Sequence, residues 1–155
     1  MQKSIPFTIE YDGLQELVET TCGISELMPR EDLLRGLPHP PIMQYHALWD
    51  TGASASSISE RVVKELGLTP VSIADNYTAA GIVQVKMYYI NMLLPNGVLL
   101  PEMFVSCCQL EDIDVLIGMD VICKGDFALT NSDGKTTFSF QVPSSKKIDF
   151  NNLNV

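Results

Sequence analysis

The residue best suited to carry chemistry is Asp50, within the run Ala47-Leu48-Trp49-Asp50-Thr51-Gly52-Ala53-Ser54. A carboxylate at the end of an apolar strand can act as a general acid or base. The Asp-Thr-Gly tripeptide alone is weak evidence, because an ordinary turn after a strand can contain it. Its surroundings strengthen the case: small residues follow it, and a second apolar strand ends downstream in Val115-Leu116-Ile117-Gly118.

This combination resembles the retropepsin family of aspartic peptidases, and most closely its bacterial, non-viral branch. In that family a hydrophobic-hydrophobic-Gly segment braces the Asp-Thr-Gly loop, and a short helix follows it, here at residues 119–124. A flap hairpin lies between the two segments, here at about residues 76–88. The resemblance covers residues 45–142 and implies an all-β acid-protease barrel with one or two short helices, assembled as a two-fold homodimer. The bracing segment would be Leu116, Ile117 and Gly118.

The resemblance also implies an aspartic endopeptidase that needs no cofactor or metal and acts on a peptide or protein substrate. Asp50 would be one of two carboxylates that share a proton, one acting as base on a water and the other as acid toward the carbonyl oxygen, as in aspartic peptidases generally. Thr51 would hydrogen-bond the partner loop across the dimer axis. Gly52 would let the backbone approach the carboxylate and the substrate. The flap tip that closes over the substrate would consist of Ala79, Ala80 and Gly81.

Only one such loop occurs in the chain. At 155 residues the chain is about half as long as a two-lobed enzyme with two loops requires. Ser132-Asp133-Gly134 lies in a turn that no apolar strand precedes. The second carboxylate must therefore come from another copy, which a two-fold dimer supplies because the same loop meets itself at the axis. We expect a monomer to be inactive.

Several positions depart from related enzymes. Viral members commonly carry an Asp four residues after the catalytic one and an Arg just after the bracing glycine, and these form an ion pair. Here Ser54 and Met119 occupy those positions, so both members of the ion pair are missing. Loss of both is chemically sensible, because one charge left buried without its partner would be costly. Other contacts are then expected to hold the dimer. Ala53 lacks the hydroxyl that pepsin-like relatives direct at the carboxylate, which predicts activity at mildly acidic pH.

Short apolar segments between turn residues predict an all-β barrel or sandwich. Tyr11-Asp12-Gly13 predicts a hairpin turn between the first two strands, although residues 14–24 also show helical spacing. One helix is predicted at 59–66, starting at a serine cap and stopping at Gly67, and one helical turn at 31–35. Strands are predicted at residues 7–10, 14–24, 42–49, 77–90 (a hairpin), 90–94, 98–100, 103–108, 113–117, 127–130, 136–142 and 148–150.

We expect one domain, residues 1–155, made of an N-terminal extension with a proline-rich loop (1–41), a peptidase core (42–142) and a C-terminal tail (143–155). The net charge of −9 and the pI near 4.5 argue against nucleic acid and membrane as partners, because an acidic surface repels both. Residues 1–10 hold no long apolar run, so no secretory signal is expected. The cysteines are expected to be plain buried thiols in a reducing cytoplasm: Cys22, Cys107, Cys108 and Cys123.

Two other functions stay open. The chain could be a catalytically silent retropepsin fold that serves as a dimerisation or peptide-binding module, although such a module would not need Asp50, Thr51 and Gly52. Residues 50–56 also resemble the phosphate-binding segment of actin-like ATPases, but the second nucleotide-binding loop of those folds is absent from the sequence. We expect Trp49 to pack under its strand rather than contact substrate, and neither His39 nor His46 to serve as a ligand or base.

Overall fold

Within residues 3–152, which the computed structural model describes, the chain is mainly β-strand with three short helices. The expected all-β class is confirmed. Met1, Gln2 and residues 153–155, the two ends of the expected 1–155 domain, lie outside the described residues. The strands are β1 (Ile5–Glu10), β2 (Val18–Glu26), β3 (Met43–Trp49), β4 (Ser57–Ile58), β5 (Ser72–Thr78), β6 (Gly81–Leu93), β7 (Leu99–Cys107), β8 (Val115–Ile117), β9 (Asp126–Thr130) and β10 (Thr137–Val142). The helices are α1 (Arg30–Leu34), α2 (Glu60–Leu66) and α3 (Met119–Ile122).

Seven strands form the larger sheet, in the order β2-β3-β8-β4-β7-β6-β5. Because β2 also pairs with β6, from Gly23 opposite Leu93 to Glu26 opposite Ile90, six of these strands close into a barrel and β5 remains at its edge. Closure removes the unpaired edges that an open sheet would expose. The core of the barrel includes Ile24, Ile90 and Val115, which are fully buried.

The smaller sheet, in the order β1-β10-β9, covers the barrel next to the loop after β3. Alternate residues of β10 point inward, so Phe138 and Phe140 are buried against Trp49, with ring centroids 5.1 and 4.9 Å away. The Trp49 indole donates a hydrogen bond of 2.9 Å to the Thr20 hydroxyl. The expected packing role of Trp49 is therefore confirmed.

The helix α2 begins and ends where its sequence predicts. The Ser59 hydroxyl accepts from the Val62 amide at the N-terminus, which satisfies one of the free donors there. Gly67 ends the helix in the left-handed conformation, with φ of 63°. Val62 is buried, so the helix packs one face on the sheet.

The hairpin predicted at Tyr11-Asp12-Gly13 is wrong in its pairing. The chain does turn there, with φ of 104° at Gly13, but β1 pairs with β10 and not with β2. Because residues 11–17 first run along the start of β10, where the Tyr11 amide donates to the Thr136 carbonyl, β2 begins only at Val18. Leu14 consequently lies outside the strand and is 65% exposed. Both β1 and β2 belong to the sheets although they precede residue 42.

Other expectations need correction near the C-terminus and at the cysteines. The strand predicted at 148–150 is wrong: the chain leaves the sheet after β10, where the Asp126 carboxylate accepts from the Ser145 and Lys146 amides. The strands expected at 98–100 and 103–108 are one strand, β7. Only Cys22 is buried among the four cysteines, and Cys123 is exposed. No helix within residues 3–152 is long and apolar enough to cross a membrane.

Candidate active site

The Asp50 loop begins where two parallel strands of the barrel end together. Trp49 of β3 is paired with Ile117 of β8, and the Asp50 amide donates to the Ile117 carbonyl at 2.9 Å. The Gly52 amide donates to the Asp50 carboxylate at 2.8 Å, which keeps the turn tight. Asp50 is half-buried while Thr51 and Gly52 are exposed. The carboxylate therefore lies at the surface of a rigid support.

Gly118 holds the segment after β8 directly against this loop. A Cβ at Gly118 would lie 2.7 Å from the carbonyl carbon of Ala55 and 2.9 Å from the oxygen of Ala53, closer than any side chain permits. The Met119 amide donates to the Ala53 carbonyl at 2.8 Å, and the Asp120 amide to the Ser54 carbonyl at 3.2 Å. Leu116, Ile117 and Gly118 thus lie beside the loop that the sequence led us to expect them to brace, with α3 directly behind.

Two side chains, Ser56 and Asp120, help to hold the segment after β8 against the Asp50 loop, and the sequence gives little indication of this role. The buried Ser56 hydroxyl accepts from the Gly118 amide at 3.0 Å and donates to the Asp120 carboxylate at 2.7 Å. Asp120 also accepts from the Val121 amide at the start of α3. The run of small residues after Asp50 and the Asp two residues after Gly118 were the only local indications.

A hairpin formed by β5 and β6 stands over the same loop. Its tip is the turn Thr78-Ala79-Ala80-Gly81, in which the Thr78 hydroxyl donates to the Gly81 carbonyl at 2.9 Å and accepts from the Ala80 amide at 3.3 Å. Gly81 has φ of 125°, which favours glycine. The structure therefore places Ala79, Ala80 and Gly81 at the end of a hairpin, where the sequence predicted a flap tip.

Between the Asp50 loop and the hairpin lies a cleft of about 340 Å³. Gly52, Ala53 and Ser54 line one side, and Asn76 and Tyr77 of the hairpin line the other. All its lining residues are uncharged, although the chain carries a net charge of −9. The cleft thus offers an extended ligand a neutral surface beside a carboxylate. The remaining lining residues are Ala55, Ser57, Thr78, Ser106, Cys108, Leu110 and Leu116.

A larger depression, about 730 Å³, adjoins the cleft, sharing Cys108 and Leu110 with it, but includes no residue of the Asp50 loop. Its wall contains an ion pair between Arg61 and the mostly buried Asp114, 3.3 Å apart. The hydrogen bond from Arg61 lowers the pKa of Glu65, while burial and then the nearby Glu65 carboxylate raise the pKa of Tyr45 to about 12. These groups hold α2 to the barrel through one charge network. His46 lies beside them, with Nε2 3.5 Å from the Glu19 carboxylate.

Comparison with known proteins agrees with the geometry of this site. The family model described as "gag-polyprotein putative aspartyl protease" matches residues 43–124, from the first residue of β3 to just beyond α3. The fold is similar to the crystal structure of a retropepsin-like aspartic protease from Rickettsia conorii, with a TM-score of 0.53 and 10% identity over 92% of this chain and 98% of that one.

A second solved structure, the retroviral protease-like domain of Ddi1 from Leishmania major, gives a TM-score of 0.46 and 14% identity over 79% of this chain and 93% of that one. No curated protein matches the sequence.

Proposed function

The chain belongs to the retropepsin-like aspartic peptidase family, and from this premise we propose that it is an aspartic endopeptidase, active as a homodimer in which each subunit contributes Asp50. The observation that carries the proposal is the position of Asp50. Asp50 is half-buried on a braced loop, and the residues directly after it line an uncharged cleft whose other side is a hairpin. An extended peptide could lie in such a cleft with its carbonyl carbon near the carboxylate.

The proposed chemistry divides the work between two Asp50 side chains. One, ionised, takes a proton from a water molecule whose oxygen attacks the peptide carbonyl carbon, and the other, protonated, donates its proton to the carbonyl oxygen. The tetrahedral diol then collapses: the C–N bond breaks, the amide nitrogen leaves with a proton, and a new carboxyl group remains. No metal or other cofactor enters this scheme.

A single chain offers one carboxylate to this reaction. Among the described residues the only hydrogen-bond partner of the Asp50 carboxylate is the Gly52 amide and not a second carboxyl group, so we assign the second carboxylate and its proton to another copy. Thr51 and Gly52 are exposed and free to meet the same loop of a partner. We assign Thr51 to contacts across the axis, Gly52 to the close approach of the loops, and Leu116, Ile117 and Gly118 to the support beneath them.

The hairpin is assigned the role of a flap, whose tip at Ala79, Ala80 and Gly81 closes over the bound peptide. Closure excludes water from the cleft, which strengthens the interactions of the carboxylates with the reacting atoms.

Residues 1–155 would form a single peptidase domain. Because Ala53 offers no hydroxyl to Asp50, we expect the enzyme to work at mildly acidic pH.

The decisive test is Asp50→Asn, which keeps the size and shape of the side chain but removes the base. We expect cleavage of casein to fall at least about a thousandfold, because loss of an essential catalytic carboxylate typically costs that much or more. The matched control is Asp133→Asn, which alters an exposed Asp-Gly turn outside the cleft and should cleave like the unaltered chain. If Asp50→Asn cleaved normally, the proposal would fail. If the unaltered chain and the Asp50→Asn chain both bound casein but neither cleaved it, the protein would instead be a silent peptide-binding module.

A further inference from the structure

The hairpin of β5 and β6 is a two-stranded ribbon that extends beyond the paired strands of the barrel. β5 pairs only with β6, and the pairing of β6 with β7 starts at Met87 opposite Ser106. Residues 72–86 therefore project without a third strand. Within the described part of the chain, the only side-chain hydrogen bond from this ribbon to the rest of the molecule runs from the Asn76 amide nitrogen to the Cys108 sulfur, at 3.6 Å.

This contact lies inside the cleft beside Asp50, because both Asn76 and Cys108 line it. Cys108 is half-buried and its sulfur also lies 3.4 Å from the Ser106 hydroxyl and 3.7 Å from the Ser57 hydroxyl. The sulfur is thus held at the floor of the cleft. Asn76 is half-buried in a ribbon whose neighbouring residues, Asp75 and Tyr77, are exposed.

The Cys108 sulfur is a poor hydrogen-bond partner for the carboxamide of Asn76. A thiol sulfur is a weak hydrogen-bond acceptor, whereas a side-chain amide can donate two N–H bonds and accept at its oxygen. A peptide lying in the cleft would present backbone carbonyl and N–H groups to the same wall. Exchange of the sulfur for a peptide carbonyl replaces a weak hydrogen bond with a stronger one, in a site from which the bound peptide has displaced water.

We propose that Asn76 is a substrate-positioning residue, which rests on Cys108 in the free chain and turns to the backbone of the peptide when the cleft is filled. Backbone contacts are independent of the peptide's side chains, so Asn76 would serve every substrate alike. The inference rests on the proposed peptidase function, because it needs a peptide in the cleft. The movement requires only a side-chain rotation, since among residues 3–152 no other side-chain hydrogen bond ties the ribbon to the rest of the molecule.

The test compares three single variants in steady-state cleavage of one casein-derived peptide. Asn76→Ala should raise KM about fivefold with kcat nearly unchanged, since one hydrogen bond of ordinary net strength is lost from the bound state. Cys108→Ala removes the resting partner and a small part of the cleft lining, so it should raise KM much less than Asn76→Ala does. Gln84→Ala is the matched control: it removes an exposed amide from the same ribbon and should change neither constant.

Two results would overturn the inference while leaving the peptidase intact. One is an Asn76→Ala enzyme with the same KM as Gln84→Ala. The other is a Cys108→Ala enzyme whose KM rises as much as that of Asn76→Ala, because the contact would then only hold the ribbon in place.

If the unaltered chain cleaved nothing, the proposed function would fail, and binding would decide the inference instead. Fluorescein-labelled casein peptide would be titrated with the Asp50→Asn chain, with and without Asn76→Ala, and followed by anisotropy. A Kd about fivefold weaker with Asn76→Ala supports the inference, and equal affinity or no binding overturns it.

Discussion

At Gly118 the need for glycine comes from space and not from backbone angles. Its φ is −95°, which any residue can adopt, yet a Cβ there would lie 2.7 Å from backbone atoms of Ala55. Backbone cannot move aside as a flexible side chain can, so we expect Gly118→Ala to lower the free energy of unfolding by about 1–3 kcal/mol and to displace the Asp50 loop. Urea denaturation would measure the first effect and casein cleavage the second.

Gly52→Ala provides the comparison for that variant. The added Cβ would meet only the Asp50 carboxylate, at 3.1 Å, so the loss of stability should be small while cleavage still falls. Equal stability of the two variants would show that the close approach at Gly118 does not support the loop.

Individual residues differed in how far the sequence could predict them. Asp50 and Gly118 stand in short local motifs at the ends of apolar strands, and the family resemblance that these motifs carry predicted their proximity. Asn76 and Cys108 lie 32 residues apart and meet across the cleft, and Ser56 reaches Asp120 from 64 residues away. Such contacts depend on strand order and register, which leave no mark on the residues around them.

At the level of elements, turn and cap residues were reliable for local structure but not for pairing. Ser59 and Gly67 marked both ends of α2. Asp12-Gly13 marked a real turn as well, but the turn alone could not reveal that β1 would pair with β10 at the other end of the chain. Long-range pairing is decided by which apolar faces remain to be covered.

The C-terminal tail is fastened to β9 by a single carboxylate. Asp126 accepts from the Ser144 hydroxyl, the Gln141 amide nitrogen at 2.6 Å, and the Ser145 and Lys146 backbone amides at 2.8 and 2.9 Å. These bonds, that from Ser144 foremost, hold the pKa of Asp126 well below its usual range. A carboxylate with a lowered pKa stabilises the folded form above its unfolded pKa, near 3.9, and that contribution disappears only as pH falls through the lower folded value.

We therefore expect the tail to stay fastened throughout the mildly acidic range. Hydrogen exchange of the Ser145 and Lys146 amides, corrected for the intrinsic rate, should show similar protection at pH 5 and pH 7. Asp126→Asn should abolish that protection at both, and trypsin should then cut faster after Lys146 or Lys147 at neutral pH. Asp12→Asn, in an exposed turn, serves as the control. Protection that weakened markedly between pH 7 and pH 5 would contradict this account.

For the whole molecule, the succession of short strands predicted a barrel or a sandwich, and the family resemblance implied the barrel, but the pairing that closes it was not predicted. The pairing of β2 with β6 makes the first strands of the chain part of the barrel, whereas the motifs that carry the family resemblance begin only near β3. Residues 1–41 were expected to be an N-terminal extension of the peptidase core, because they contain no residue assigned to the chemistry. Their buried side chains, such as Cys22 and Ile24, show that they contribute to the core of the fold.

Association of two chains is the property on which the proposed activity depends. Each chain has a net charge of −9, so two chains repel at low ionic strength, and added salt should lower the concentration needed for association. We expect the rate of casein cleavage per chain to fall on dilution, in step with the change from a particle of about twice 17.1 kDa to a single chain in sedimentation. Moderate salt should move both transitions to lower concentration.

Mixing chains tests whether both carboxylates are needed. When an equal amount of the Asp50→Asn chain is added to a fixed amount of unaltered chain and subunits exchange freely, about half of the unaltered chains acquire an inactive partner, and cleavage should fall to about half. The Asp133→Asn chain, added in the same way, should cause no loss because its Asp50 is intact. A rate that stayed constant both on dilution and on addition of Asp50→Asn would mean that one chain suffices, and the two-carboxylate mechanism would have to be abandoned.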